Sequence, residues 1–73
     1  MATLPVLSGR DVVRAFSRDG WQVARQHGSH IIVVKDGSHA TLSVPDHKEV
    51  AKGTLRGLVR ESGLTVEQFL ALL

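Results

Sequence analysis

Residues 21–45 read WQVARQHGSHIIVVKDGSHATLSVP. Three strand-like runs separated by two short glycine-containing breaks make this the stretch that decides the fold. Trp21 to His27 alternates, with Trp21 and Val23 on one side and Gln22 and Gln26 on the other. Ile31 to Lys35 is β-branched and apolar on both faces. His39 to Val44 alternates again, setting Ala40, Leu42 and Val44 against His39, Thr41 and Ser43. Gly28-Ser29 and Asp36-Gly37-Ser38 have the lengths and residue types of hairpin loops. The runs therefore predict an antiparallel meander, closed by Pro45.

Helical patterns flank the meander. Before it, Ser8 is placed to cap a helix, with Asp11 at the third position and Leu7 and Val12 at the staple positions. Val12, Val13 and Phe16 give that helix an apolar face, and Asp19-Gly20 ends it. After the meander, Leu55, Leu58 and Val59 lie at core spacing in a second helix that stops at Gly63. Thr65 and Gln68 spell a capping box for a third, with Leu64 stapled onto Phe69 and a stripe of Val66, Phe69, Leu70 and Leu73. The order α-β-β-β-α-α predicts an α+β sandwich: a three-stranded antiparallel sheet with helices on one face and an extra C-terminal helix.

A chain of 73 residues is read as one domain, residues 1–73, near the lower limit for an unstapled core. It has no cysteine, so neither disulfides nor a thiolate zinc site contributes. Its longest apolar run, Ile31 to Val34, is too short to span a bilayer, and the N-terminus lacks a signal-peptide layout; the expectation is a cytoplasmic protein without a membrane partner. Nine Lys and Arg against seven Asp and Glu leave a charge of +2, which permits a nucleic-acid partner without requiring one. Six of those nine cations are arginine, the better bidentate phosphate ligand.

The candidate chemistry gathers in two places. His30 follows the Gly28-Ser29 turn at the mouth of the apolar strand. Imidazole, with a reference pKa of about 6.5, serves as base or acid at neutral pH. Gly28 allows close backbone approach, and Ser29 adds a donor for a phosphate oxygen. Downstream, Lys52-Gly53-Thr54-Leu55-Arg56 opens a helix whose first N–H groups lack intrahelical partners, with Lys52 and Arg56 adding charge. A proton carrier beside a phosphate cradle points to chemistry on a phosphodiester. RNA can be cut there without metal, because its 2′-hydroxyl attacks the neighbouring phosphate.

His47 is the second candidate, since it lies between the last strand and the second helix. His27 and His39 read as exposed hairpin residues. His27 and His30 are an odd number of positions apart, which on one regular strand sends them to opposite faces. On that reasoning a two-histidine dyad pairs His30 with His39 or His47. No metal site or cofactor is expected, since there is no His-x-His or His-x₃-His pair and no carboxylate cluster. Trp21, Phe16 and Phe69 fit the core, so no aromatic is left for stacking bases, and sequence selectivity should be low.

These stretches, namely Ser8-Gly9-Arg10-Asp11, Asp19-Gly20-Trp21, Arg25 to His30, Val44-Pro45-Asp46-His47, and Lys52 to Arg56 through Ser62-Gly63-Leu64, resemble the HicA (YcfA-like) mRNA interferases. The likeness runs from about Ser8 to the C-terminus. It implies a double-stranded-RNA-binding-like fold and the toxin half of a toxin–antitoxin pair. It implies a metal-independent RNA endonuclease that arrests translation by cleaving mRNA, with His30 of Gly28-Ser29-His30 as general acid or base. Gly28, Ser29, His47, Lys52, Thr54 and Arg56 would then contact RNA, and a HicB-like antitoxin would cover the site.

The residues alone leave two alternatives open. One is a non-catalytic RNA-binding module of the same fold; the other is a protein-interaction domain built on the apolar run Ile31 to Val34. Strand alternation separates His30, Ile32 and Val34 from Ile31 and Val33. With His30 facing RNA, Ile31 and Val33 are expected to point inward. Ile32 and Val34 then form an apolar patch suited to an inhibitory protein.

Overall fold

The computed structural model describes residues 3–73. Its elements are α1 (Gly9–Ser17), β1 (Trp21–His27), β2 (His30–Lys35), β3 (Thr41–Pro45), α2 (Lys52–Ser62) and α3 (Val66–Leu70). The sheet is antiparallel in the order β1-β2-β3. Helices cover one face, giving the expected α+β sandwich of the double-stranded-RNA-binding kind with a short extra helix.

Local chemistry starts the helices where the sequence places them. The Ser8 hydroxyl accepts from the Asp11 N–H at 3.1 Å, and the Asp11 carboxylate accepts from the Ser8 N–H at 3.2 Å. Thr65 and Gln68 form the same reciprocal pair at α3. Ala51 sits at the start of α2, where no side chain caps the helix. At the other end Gly63 takes φ +83°, the left-handed closure that glycine adopts without strain. The stripe expected for the last helix is cut short. After Leu70 the chain turns, Leu72 packs inward, and Leu73 is left about half exposed.

The faces of β2 fall as alternation requires. Ile31 and Val33 are buried, Val34 is exposed, and Ile32 is half-buried on the open face. Ile31 pairs with Val44 and Val33 with Leu42, and all four meet Val12, Ala15 and Phe16 of α1 and Leu55, Leu58 and Val59 of α2. Phe16 links the layers: its ring lies 6.1 Å from that of Trp21, edge-on, and 5.1 Å from that of Phe69. Trp21 is buried with its indole N–H unpaired.

In β1 the expected alternation fails after Val23. Val23 pairs with Val33 but Arg25 with Ile32, so the strand carries a bulge at Ala24. The extra residue inverts the faces beyond it. Arg25 and His27 join Gln22 on the open side, and Gln26 turns to the helix side rather than joining Gln22. Val23 does share Trp21's side, yet it is 55% exposed because it lies on an edge strand.

One contact sets the corner between β3 and α2. A Cβ placed on Gly9 would lie 2.0 Å from the Pro45 carbonyl oxygen and 3.0 Å from Asp46 Cα. The start of α1 therefore rests directly on backbone. It is tied there by Gly9 N–H to the His47 carbonyl at 2.9 Å and by Val50 N–H to the Leu7 carbonyl at 2.8 Å. Among the described residues, no helix is long and apolar enough to cross a membrane.

Candidate functional site

The β1–β2 turn is built from Gly28 and Ser29 alone, with φ +60° at Gly28 and no positive φ at Ser29. Glycine first and a residue of ordinary φ second is the pattern of a type II′ hairpin, whose twist suits the flanking strands. A Cβ on Gly28 would meet nothing within 4 Å, so within this chain Gly28 serves the turn conformation rather than a close approach. Ser29 is anchored through its carbonyl, which accepts from the Asp46 N–H at 2.7 Å. The Asp46 carboxylate in turn accepts from Gln26 Nε2 at 3.3 Å and from Arg10 Nε at 3.5 Å. Asp46 thus ties the turn, the β3–α2 corner and α1 together.

His30 opens β2 immediately after this turn, exposed on the open face. Its Nδ1 lies 3.1 Å from the Ser43 hydroxyl of β3. Either tautomer satisfies that bond, and either leaves Nε2 as the ring nitrogen free for a substrate. Ser43 is a neighbour that the sequence reading did not single out as functional. The signal lay in the alternation of His39 to Val44, which already put Ser43 on the open face.

Ser43 also connects His30 to α2. With Thr41 it lines one wall of a groove of 340 Å³ whose other wall is Gly53, Thr54, Gly57, Leu58 and Glu61. Of the expected phosphate ligands, Thr54 lies in this groove. Lys52 and Arg56 lie one helical turn apart on α2, exposed and outside the groove lining. The α2 start has the character a phosphate cradle needs. No side chain caps it, its first turn holds no acidic residue, and its first backbone bond runs from Leu55 N–H to the Ala51 carbonyl. The N–H groups of Lys52, Gly53 and Thr54 precede that bond and lack intrahelical partners.

His47 is exposed but turned elsewhere. It lines a separate groove of 320 Å³ with Ser8, Arg10, Asp46 and Lys48, beside the start of α1. The sequence-based dyads with His30 need revision. His39 precedes β3, beyond the Val34–Thr41 pair, whereas His30 is opposite Pro45 at the other end of the strand. At about 3.3 Å per residue the two are roughly 20 Å apart. His27, excluded by counting along one strand, is the cross-strand partner of His30. The chain reverses between them, and directly opposed residues of an antiparallel pair share a face.

Among the described residues, no three His, Asp or Glu side chains converge to hold a metal ion. Asp11 is the titrating group whose environment stands out. The Ser8 N–H and hydroxyl hold its carboxyl below the usual value, aided by Arg14 at 3.3 Å and opposed by partial burial.

No curated protein and no solved structure matches the chain. The family model described as HicA toxin of bacterial toxin–antitoxin does match, over residues 9–64, from the glycine seated on the β3–α2 corner to the residue after the glycine that closes α2. A match over well over half of the 73 residues shows that the chain belongs to the HicA toxin family, the toxin side of a pair whose other member is an antitoxin.

Proposed function

We propose that this toxin is a metal-independent RNA endonuclease that arrests translation by cutting messenger RNA, with His30 as the proton carrier. The observation that carries the reading is the placement of His30. It is an exposed imidazole, held through Nδ1 by Ser43, and Ser43 in turn lines a groove whose other wall includes Gly53 and Thr54 at the uncapped start of α2.

The chemistry follows from that arrangement. His30 Nε2 takes the proton from a ribose 2′-hydroxyl, whose oxygen attacks the adjacent phosphorus. The P–O5′ bond breaks, leaving a 2′,3′-cyclic phosphate and a 5′-hydroxyl once that oxygen is protonated. The free N–H groups at the α2 start, the Thr54 hydroxyl, Lys52 and Arg56 offset the phosphate charge, with Ser29 beside the reacting group. Gly28 supplies the turn that aims His30, and His47 extends the contact along the strand on the α1 side. A positioned proton carrier contributes about 10²–10⁴ in rate.

The antitoxin is proposed to be HicB-like and to sit over the open face, covering Val34 and the half-exposed Ile32 beside His30. Such a partner would inhibit by occlusion.

His30→Ala should abolish cleavage of RNA by the purified protein while leaving the fold and RNA binding intact, because the residue is exposed. Cleavage by the wild type should survive EDTA, and a 2′-deoxy sugar at the scissile position should block it. A folded His30→Ala protein that cuts at the wild-type rate refutes the assignment. Activity lost to chelation and restored by magnesium refutes the metal-independent mechanism.

A further inference from the structure

We infer that His27 is a second catalytic residue, the acid that complements His30 as base; the inference rests on the RNA-cleavage reading. Transfer of the phosphoryl group to the 2′-oxygen moves two protons. One leaves the 2′-hydroxyl as the P–O2′ bond forms, and one arrives at the 5′-oxygen as the P–O5′ bond breaks. The entering and leaving oxygens lie on opposite sides of phosphorus. Two proton carriers flanking the phosphate therefore meet the need better than one ring shared between both sides.

The hairpin supplies such a pair. His27 ends β1 and His30 begins β2, and they are register partners across the two-residue turn. Directly opposed residues hold their Cβ atoms about 4.5–5.5 Å apart with side chains on one face. The bulge at Ala24 inverts the faces of β1 beyond Val23 and so puts His27 on the open side. It brings Arg25, the partner of Ile32, onto the same side as His27. Arg25 is exposed and the nearest cation along β1 on that face, suited to the charge that builds on the phosphate. The other groups facing the pair are Ser43 and Pro45 of β3 and Ile32 of β2, none of them charged. Asp46 reaches Gln26 and Arg10 instead.

The two rings differ in their surroundings, and the difference assigns their roles. The Ser43 hydroxyl lies 3.1 Å from His30 Nδ1 and leaves Nε2 free; in the tautomer that donates Nδ1–H to Ser43, Nε2 carries the lone pair of the base. His27 is exposed and makes no side-chain hydrogen bond or ion pair among the described residues, so as imidazolium it is free to give a proton to the departing 5′-oxygen. Over one turnover His30 gains a proton and His27 loses one, and water resets both.

The test uses the full chain and an RNA oligonucleotide whose cleavage position is first mapped with the wild type. A second oligonucleotide carries a bridging sulfur in place of the 5′-oxygen at that position, a leaving group that departs without a proton. His27→Gln should slow the oxygen substrate about 100-fold or more yet cut the sulfur substrate within a few-fold of wild type. His30→Gln should be slow on both. Circular dichroism checks that both variants are folded.

If His27→Gln cuts the oxygen substrate at the wild-type rate, or stays equally slow on the sulfur one, His27 is not the acid, while the RNA-cleavage reading stands on His30. If the wild type cuts no RNA, that reading fails and this one with it.

Discussion

Replacing Gly9 with alanine tests how the corner that holds the site is built. The added Cβ would sit 2.0 Å from the Pro45 carbonyl oxygen, 2.9 Å from its carbon and 3.0 Å from Asp46 Cα. All three are backbone atoms, so no side-chain rotation relieves the clash. The start of α1 has to retreat by about 1 Å before the contact is tolerable. That movement stretches the Gly9 N–H bond to the His47 carbonyl, now 2.9 Å, and strains the neighbouring Val50–Leu7 bond. Overpacking costs about 1–3 kcal/mol, and a lost hydrogen bond about 0.5–1.5 kcal/mol. The better helix propensity of alanine returns less than about 1 kcal/mol. The net expectation is a loss of about 2–3 kcal/mol, which in a domain of this size lowers Tm by roughly 10–20 °C. Gly57→Ala is the control, because a Cβ there would meet nothing within 4 Å. It should gain about 0.5–1 kcal/mol from helix propensity alone. Thermal and urea unfolding followed by circular dichroism measure both. Equal or greater stability for Gly9→Ala would refute the argument, since propensity would then outweigh the contact.

Other expectations follow from single contacts. Ser43→Ala removes the partner of His30 Nδ1 and should lower kcat about 3- to 10-fold with Tm little changed, as expected for one hydrogen bond; an unchanged kcat would mean that His30 is held in some other way. Asp11 has a folded pKa below its ordinary 3.8, so its contribution to stability is complete above that value and is lost as pH falls through the lower folded one. The urea midpoints of wild type and Asp11→Asn should therefore converge as pH is lowered from about 6 to about 2, and a constant gap would contradict the linkage. Trp21→Phe removes a buried indole N–H that has no partner while leaving a small void, and the two effects should offset to within about 1 kcal/mol in urea unfolding. A loss above about 2 kcal/mol would show that the N–H is satisfied in solution.

The sequence by itself determined what depends on near neighbours. Ser8 with Asp11, and Thr65 with Gln68, satisfy one another three residues apart, so both caps are readable without the rest of the chain. The inward set Ile31 and Val33 follows from alternation once one face must be buried. The order of elements, and with it the sandwich, came from such local signals added together, and the Gly28-Ser29-His30 stretch was legible for the same reason.

Tertiary structure decided what depends on a partner strand or helix. The bulge at Ala24 exists only as a mismatch against β2, and it moved Gln26 off the open face and Arg25 and His27 onto it. Counting along one strand separated His27 from His30, but the reversal of the chain at the turn brings them together. Ser43 reaches His30 from thirteen residues away through the register of β2 with β3. Gly9 in sequence is one more helix-start glycine, and its need for an absent side chain appears only where α1 meets the Pro45 carbonyl. Hydrogen-bond reach and side-chain periodicity act over a few residues and leave their mark on the chain itself. Register and close backbone contact are relations between distant segments, and no residue in isolation carries them.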